Sequence, residues 1–346
     1  MSRSYMKALS LGLAVVACLP FGSIASAEAI QWVIVGDPGN TADTDLSGYG
    51  AVATSFQIMK YEFTNQLYTD FLNSVAATDT YSLYNSAMGS NARGGITQSG
   101  SSGSYTYSLK TNMGDKPVNY VSWFDAARVS NWYQNGATSS SSTETGAYTL
   151  NGATSGNAPA VNSGATFYIP TEDQWYKAAY YKGGGTNAGY WNYATQSDTD
   201  PTPVTAGATG IGSAGNTGNF ANYAEAADWN SQDGNVTTVG TNGDPSAYGA
   251  FDMSGNIFEW NDLTGAAGSS RGLRGGDWFD YDPFDLSSSF SDSDDPSYGN
   301  NSIGFRLASP VSGPSAVPEI DPNGLSAVLG LIVGGLGLLE RRRYGR

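Results

Sequence analysis

Apolar side chains at Tyr68, Phe71, Leu72 and Val75 recur at i, i+3, i+4 and i+7, the stripe of an amphipathic helix. Thr64 stands just before that stripe as an N-cap, so the pattern predicts a helix to about Ala76, preceded by an extended segment from Ala53 to Tyr61. Ser122 with Asp125 three residues on opens a second helix through Tyr133, and Val121 is the apolar residue just outside it. After Tyr168-Ile169-Pro170, Thr171 and Gln174 form the capping box of a third. Elsewhere Gly, Ser, Thr and Asn dominate and charged residues are few, which predicts one loop-rich domain rather than a helical one. Gln98 to Ser104 and Thr138 to Thr145 are low-complexity insertions that need not pack.

The two ends differ from this body. Arg3 and Lys7 precede an apolar run from Ala8 to Pro20 and the small residues Ala25-Ser26-Ala27, the pattern of a signal peptide over 1–27 cleaved after Ala27. The run is shorter than the roughly 20 residues of a spanning helix, and Val15-Val16-Ala17-Cys18 weakly resembles a lipoprotein box. A Ser/Pro/Gly linker, 309–316, leads to Val317-Pro318-Glu319, an apolar segment over 325–339 and Arg341-Arg342-Arg343. This tail resembles a bacterial PEP-CTERM sorting signal, which implies an exosortase-type sorting enzyme as a partner. Read without the resemblance, it is a plain C-terminal anchor whose arginines face the cytoplasm. Either way the chain is expected to be exported to the envelope or extracellular matrix of a bacterium, held in the membrane transiently or permanently by its C-terminal helix.

Charge removes one class of partner. Taking away Arg3 and Lys7 at one end, and Glu340 with Arg341, Arg342, Arg343 and Arg346 at the other, moves the whole-chain net charge from −15 to −20 for Glu28 to Leu339. Such a surface repels nucleic-acid phosphates and attracts cations, so no nucleic acid is expected. The chain has no histidine, and its single cysteine, Cys18, falls in the expected signal peptide. An exported body without disulfides is held by its core or by metal.

The segment from Gly249 to Trp260, with Arg274-Gly-Gly-Asp-Trp278 and Gly304-Phe305-Arg306, closely resembles the signature of the formylglycine-generating, sulfatase-modifying-factor family. Lys60-Tyr61-Glu62-Phe63-Thr64, Pro117-Val118 with Val121-Ser122-Trp123, and Pro170-Thr171-Glu172 with Trp175 extend the resemblance in order from about Trp32 to Ala308. It implies an α+β, loop-rich, C-type-lectin-like fold over 28–308, a single domain with short helices around small antiparallel sheets.

In the active enzymes a cysteine pair after Arg-Gly-Gly-Ser binds copper; counting through the same segment places Asp280 and Asp285 there, with Asp277 for the serine. Copper(I) prefers thiolates, and the related iron-dependent synthases need histidine, so neither copper nor iron is expected. Asp277, Asp280, Asp282 and Asp285 read as a solvated acidic loop or, less simply, as ligands of a hard ion.

The resemblance also implies two structural calcium sites. One set is Asn222, Tyr223 through its carbonyl, Asp233 and Asn235. The other is Asp252 and Glu259 through side chains with Gly255 and Ile257 through carbonyls, the plain alternative being that the two acids cap loops. Gly183-Gly184-Gly185 follows a helix, which reads as a turn and not a phosphate loop. Tyr180, Tyr181, Tyr190, Trp191 and Tyr193 are either core or rings that stack on sugars. The resulting expectation is a non-catalytic, exported surface or exopolysaccharide-associated protein with a glycan or protein ligand. An enzyme of the family with an atypical oxidase centre is the alternative.

Overall fold

The computed structural model describes residues 30–44 and 48–311; the expected signal peptide, the sorting motif Val317, Pro318 and Glu319, and the helix over 325–339 lie outside them. Among the described residues no helix is long and apolar enough to cross a membrane. The domain is α+β, with short helices packed on small sheets.

Strand β1 (Trp32–Val35) pairs antiparallel with β2 (Phe56–Met59), the centre of a three-stranded sheet. A hairpin of β3 (Ile96–Ser99) and β4 (Thr106–Leu109) follows, then the parallel two-residue pair β5 (Thr202–Pro203) and β6 (Phe220–Ala221). The strand β7 (Phe258–Asn261) lies between β8 (Arg271–Arg274) and the two-residue β10 (Ile303–Gly304), and β9 (Asp292–Asp294) completes this four-stranded sheet. Its β7–β10 contact is parallel and the others antiparallel. Chain end returns to chain start, because β11 (Ala308–Pro310) lies along the free side of β2. Ser309 and Pro310, read from composition as linker, are thus part of a sheet.

All three expected helices form where their caps place them. Thr64 Oγ1 accepts the Leu67 amide at the start of α1 (Asn65–Val75), which turns Tyr68, Phe71 and Leu72 into the core. After a one-turn α2 (Ala87–Ser90), α3 (Trp123–Gln134) begins with both halves of the Ser122–Asp125 capping box, and α4 (Glu172–Tyr180) with both halves of the Thr171–Gln174 box. Each box satisfies amides that have no partner within the helix.

The larger core joins α1 and α3 to the four-stranded sheet through Phe63, Phe71, Trp132, Trp260 and Phe305, with Phe63 and Phe305 stacked at 4.7 Å. A second core lies between the three-stranded sheet and α4, around Phe56, Ile58, Trp175 and Tyr176. The insertion at 138–145 does pack, for a local reason. Arg128 on α3 is buried, so its charge needs a partner, and Glu144 supplies one at 2.8 Å. In the 183–185 segment the chain turns back after α4, with Gly184 N donating to Asp37.

Candidate functional site

Strand β8 ends in Arg274, and the next two residues take positive φ, 101° at Gly275 and 71° at Gly276. A Cβ at Gly276 would lie 2.9 Å from the Asp285 carbonyl oxygen, so only glycine lets the loop over 277–286 fold back on itself. That loop turns three of its four aspartates to its own backbone. Asp277 Oδ1 accepts the amides of Phe279 and Asp280, Asp280 Oδ2 accepts the Asp277 amide, and Asp282 Oδ1 accepts the Phe284 amide. Among the described residues no three His, Cys, Asp or Glu side chains converge as a metal cluster. The four acids are not uniformly solvated, since Asp277 is buried while Asp282 is exposed.

With its polar groups turned inward, the loop shows rings to solvent. Phe279, Tyr281 and Phe284 are 52%, 64% and 51% exposed. Beneath them Trp278 is buried, its ring 4.3 Å from the Arg93 guanidinium. The loop rests on the 222–225 segment, since Ala224 N donates to the Asp280 carbonyl, Glu225 N to the Trp278 carbonyl, and the Tyr281 hydroxyl to Glu225. The aromatic residues singled out from sequence lie elsewhere: Tyr180, Tyr181 and Tyr193 are core, and Tyr190 and Trp191 half-buried. Composition cannot say which way a ring points. The loop's own signal was available in the run Trp278-Phe279-Asp280-Tyr281-Asp282-Pro283-Phe284, which alternates rings with turn-forming acids.

The first calcium set is brought together in part. Asn222 is fully buried, and its Nδ2 donates to the Asn235 carbonyl, Thr237 Oγ1 and Asn256 Oδ1. That orientation leaves Asn222 Oδ1 buried without a partner. The Tyr223 carbonyl accepts the Ala226 amide, Asn235 Oδ1 accepts the Val236 amide, and Asp233 is exposed with its carbonyl on Arg93. An orphaned amide oxygen beside backbone carbonyls is the donor chemistry that calcium takes.

The second set is also gathered, but around a cation of the protein's own. Glu259 Oε1 accepts Arg306 Nη2 at 2.5 Å, and Oε2 accepts Arg306 Nε at 2.6 Å and Trp175 Nε1 at 2.8 Å. Asp252 takes the Gly240 amide on Oδ2 and Asn242 Nδ2 on Oδ1. As the side chains stand, every oxygen of the two carboxylates accepts an N–H. The Gly255 carbonyl accepts the Ile257 amide, and Gly255, at φ 81°, packs so closely that a Cβ would lie 2.5 Å from the Asn222 carbonyl oxygen. The two sets therefore meet at Asn222 and Gly255. Sequence reasoning missed Glu62, fully buried next to them, with Oε1 on Asn256 Nδ2 and Oε2 unpaired. Burial, and then the charge of Asp252, push its carboxyl well above the usual range.

A model of the sulfatase-modifying factor enzyme 1-like domain matches residues 38–311. Among solved structures, CarF is 21% identical, covering 82% of this chain and 99% of its own, with a TM-score of 0.49. The variable protein 1 of Treponema denticola (17% identical, 82% and 97% covered, TM-score 0.46) and PvdO from Pseudomonas aeruginosa (16%, 82% and 92%, TM-score 0.41) are also similar. A search of curated proteins found no match.

Burial, followed by the neighbouring Asp277 charge, raises the Asp280 carboxyl to about 7. An acid whose pKa is raised on folding binds its proton more tightly in the native state, so its ionisation destabilises the fold as pH rises from about 4 through about 7. Asp280→Asn, whose amide oxygen still accepts the Asp277 N–H, should melt close to the natural chain at pH 5 and above it at pH 8. Parallel pH dependence of the two melting temperatures would rule out that titration.

Proposed function

The chain belongs to the sulfatase-modifying factor enzyme 1-like family, and on that premise we propose that it is a non-catalytic, exported member that uses the fold to bind a glycan at the cell surface or in the exopolysaccharide. One observation carries this reading. The loop over 277–286, where the family resemblance places the copper-binding cysteines, holds Asp280 and Asp285, and its outer face presents Phe279, Tyr281 and Phe284. A flat ring at the surface offers an apolar face to the C–H face of a sugar, while nearby carboxylates accept hydroxyl hydrogens. Copper(I) has no thiolate to bind there.

Two tests address the reading directly. Supplied with copper and a cysteine peptide of the sulfatase type, the chain should produce no formylglycine. On an exopolysaccharide and glycan array it should bind, and the triple variant F279A/Y281A/F284A should lose at least about 90% of the signal, since each stacked ring supplies roughly 1 kcal/mol. These side chains are exposed, so the variant should melt normally. Turnover by the natural sequence would favour the oxidase alternative, and array binding unchanged in the triple variant would move the ligand elsewhere. Export by the two terminal segments belongs to the same proposal. Intact mass of protein from the cell surface should begin at Glu28.

Calcium is proposed at the set around Asn222, held by its unpaired Oδ1 together with Tyr223, Asp233 and Asn235, where it would stabilise the floor of the aromatic loop. Asp252 and Glu259 border this set, their charge met by Arg306 and by N–H donors. An ion bound only to the native state at a hundredfold above its dissociation constant adds about 3 kcal/mol of stability. Chelation should accordingly lower the melting temperature, and Asp233→Ala, at an exposed position, should shrink that difference. Superimposed melting curves with calcium and with chelator, on protein stripped of metal, would remove calcium from the account.

A further inference from the structure

Beyond the aromatic loop lies a second recess. It is a cleft of about 360 Å³, walled by the loop over 79–85, the start of α3 and the loop over 295–299. Its lining includes Tyr81, Tyr84, Asn85, Tyr120, Asp125 and Ser297, a wall of hydroxyls and amide with one carboxylate. Each wall is fixed independently of any ligand. Asp79 accepts the amides of Leu83 and Tyr84, the Tyr84 hydroxyl donates to the Ile96 carbonyl, and the Arg128 guanidinium lies 4.3 Å from the Tyr81 ring centre. Tyr120 is held at φ 60° with its amide on the Asn300 carbonyl, a conformation rare for a bulky side chain.

Asp125 is the group that these walls leave unfinished. It is 8% exposed, and its Oδ2 is occupied by the Ser122 amide and hydroxyl, while Oδ1 has no partner and the residue lines the cleft. A carboxylate oxygen that reaches the cleft from a largely buried residue, with no donor from the protein, is placed to take one from a ligand. The cleft is linked to the base of the aromatic loop: Asn119, next to Tyr120, bonds the carbonyls of Arg93, which stacks on Trp278, and of Asn301, which also accepts Trp278 Nε1.

We propose that this cleft binds one sugar unit, with a sugar hydroxyl donating to Asp125 Oδ1 and the ring lying among Tyr81, Tyr84 and Tyr120. A polyhydroxylated neutral ligand matches a wall whose polar atoms are mostly hydroxyls, those of Tyr81 and Tyr120 able to donate and accept and those of Tyr84 and Ser297, which donate to the Ile96 carbonyl and to Asp295, able to accept. The volume is at the small end of ligand pockets, which suits a single ring and not an oligosaccharide. The proposal rests on the reading of the chain as a glycan-binding protein: the aromatic loop would hold the polymer and the cleft one residue of it.

The test uses the full chain with D-glucose, D-galactose, D-mannose and N-acetyl-D-glucosamine, each followed by saturation-transfer NMR and calorimetry. At least one should bind saturably. Asp125→Asn keeps the shape and one acceptor of the capping box, and should weaken that sugar at least about tenfold, the loss of a hydrogen bond to a charged acceptor. Tyr81→Ala should weaken it too, with both variants checked by melting temperature. A sugar that binds both variants as tightly as the natural chain overturns the assignment to the cleft, as does the absence of any saturable sugar. If the glycan array is positive and sensitive to F279A/Y281A/F284A while no monosaccharide binds, the cleft proposal fails and the aromatic-loop reading stands. If the array is also blank, both fall.

Discussion

The buried pair of Arg306 and Glu259 is the contact on which the remaining geometry depends. Both side chains are fully buried, and their two-pronged bond is extended by Trp175 Nε1 on the carboxylate and by the carbonyls of Met59 and Phe251 on the guanidinium. Five segments are thereby fixed to one point: β2, α4, the 251–257 turn, β7 and the chain entering β11. Removing two such charges from water costs several kcal/mol each, and only close, fully hydrogen-bonded geometry offsets that. The arrangement is repeated. Among the described residues four arginines are buried, Arg128, Arg271, Arg274 and Arg306, and each faces a carboxylate. No cysteine occurs among those residues, so ion pairs and aromatic packing carry the cross-linking that disulfides provide elsewhere.

That internal frame also anchors the base of the aromatic loop. Arg274 is pinned to Glu172 at 2.7 Å and to the carbonyl of Ser288, and it is the last ordered step before Gly275 and Gly276 release the loop that carries the rings. Beyond Arg274 the loop keeps Trp278 and Leu286 buried and turns Phe279, Tyr281 and Phe284 outward. Asp277, Asp280 and Asp282 accept the loop's own amides and hold its shape. Rings held on such a base lose little entropy on contact with a ligand.

The helices were legible in the sequence because their signals are local. Thr64, Ser122 with Asp125, and Thr171 with Gln174 announce helix starts within three residues, and all three are observed. The convergence of Asp252 and Glu259 was legible as well, through the family resemblance. Their partner was not, since Arg306 is 47 residues from Glu259 and no periodicity links them. Arg306 was in view in Gly304-Phe305-Arg306, but its burial, which is what calls for a carboxylate, is set by packing. Ring exposure failed for the same reason. Tyr180 and Phe284 are equally aromatic in sequence, and only the packing of α4 against the three-stranded sheet turns one inward while the glycine pair turns the other out.

The central claim is that this frame is closed by Arg306 and Glu259 themselves. A double-mutant cycle with Glu259→Gln and Arg306→Met, read by equilibrium denaturation in chelator, tests it most directly. Each single change leaves a buried charge uncompensated and should destabilise the chain by about 3–5 kcal/mol, while the double variant should lose less than the sum. Single variants within about 0.5 kcal/mol of the natural chain, or strictly additive losses, would contradict the account.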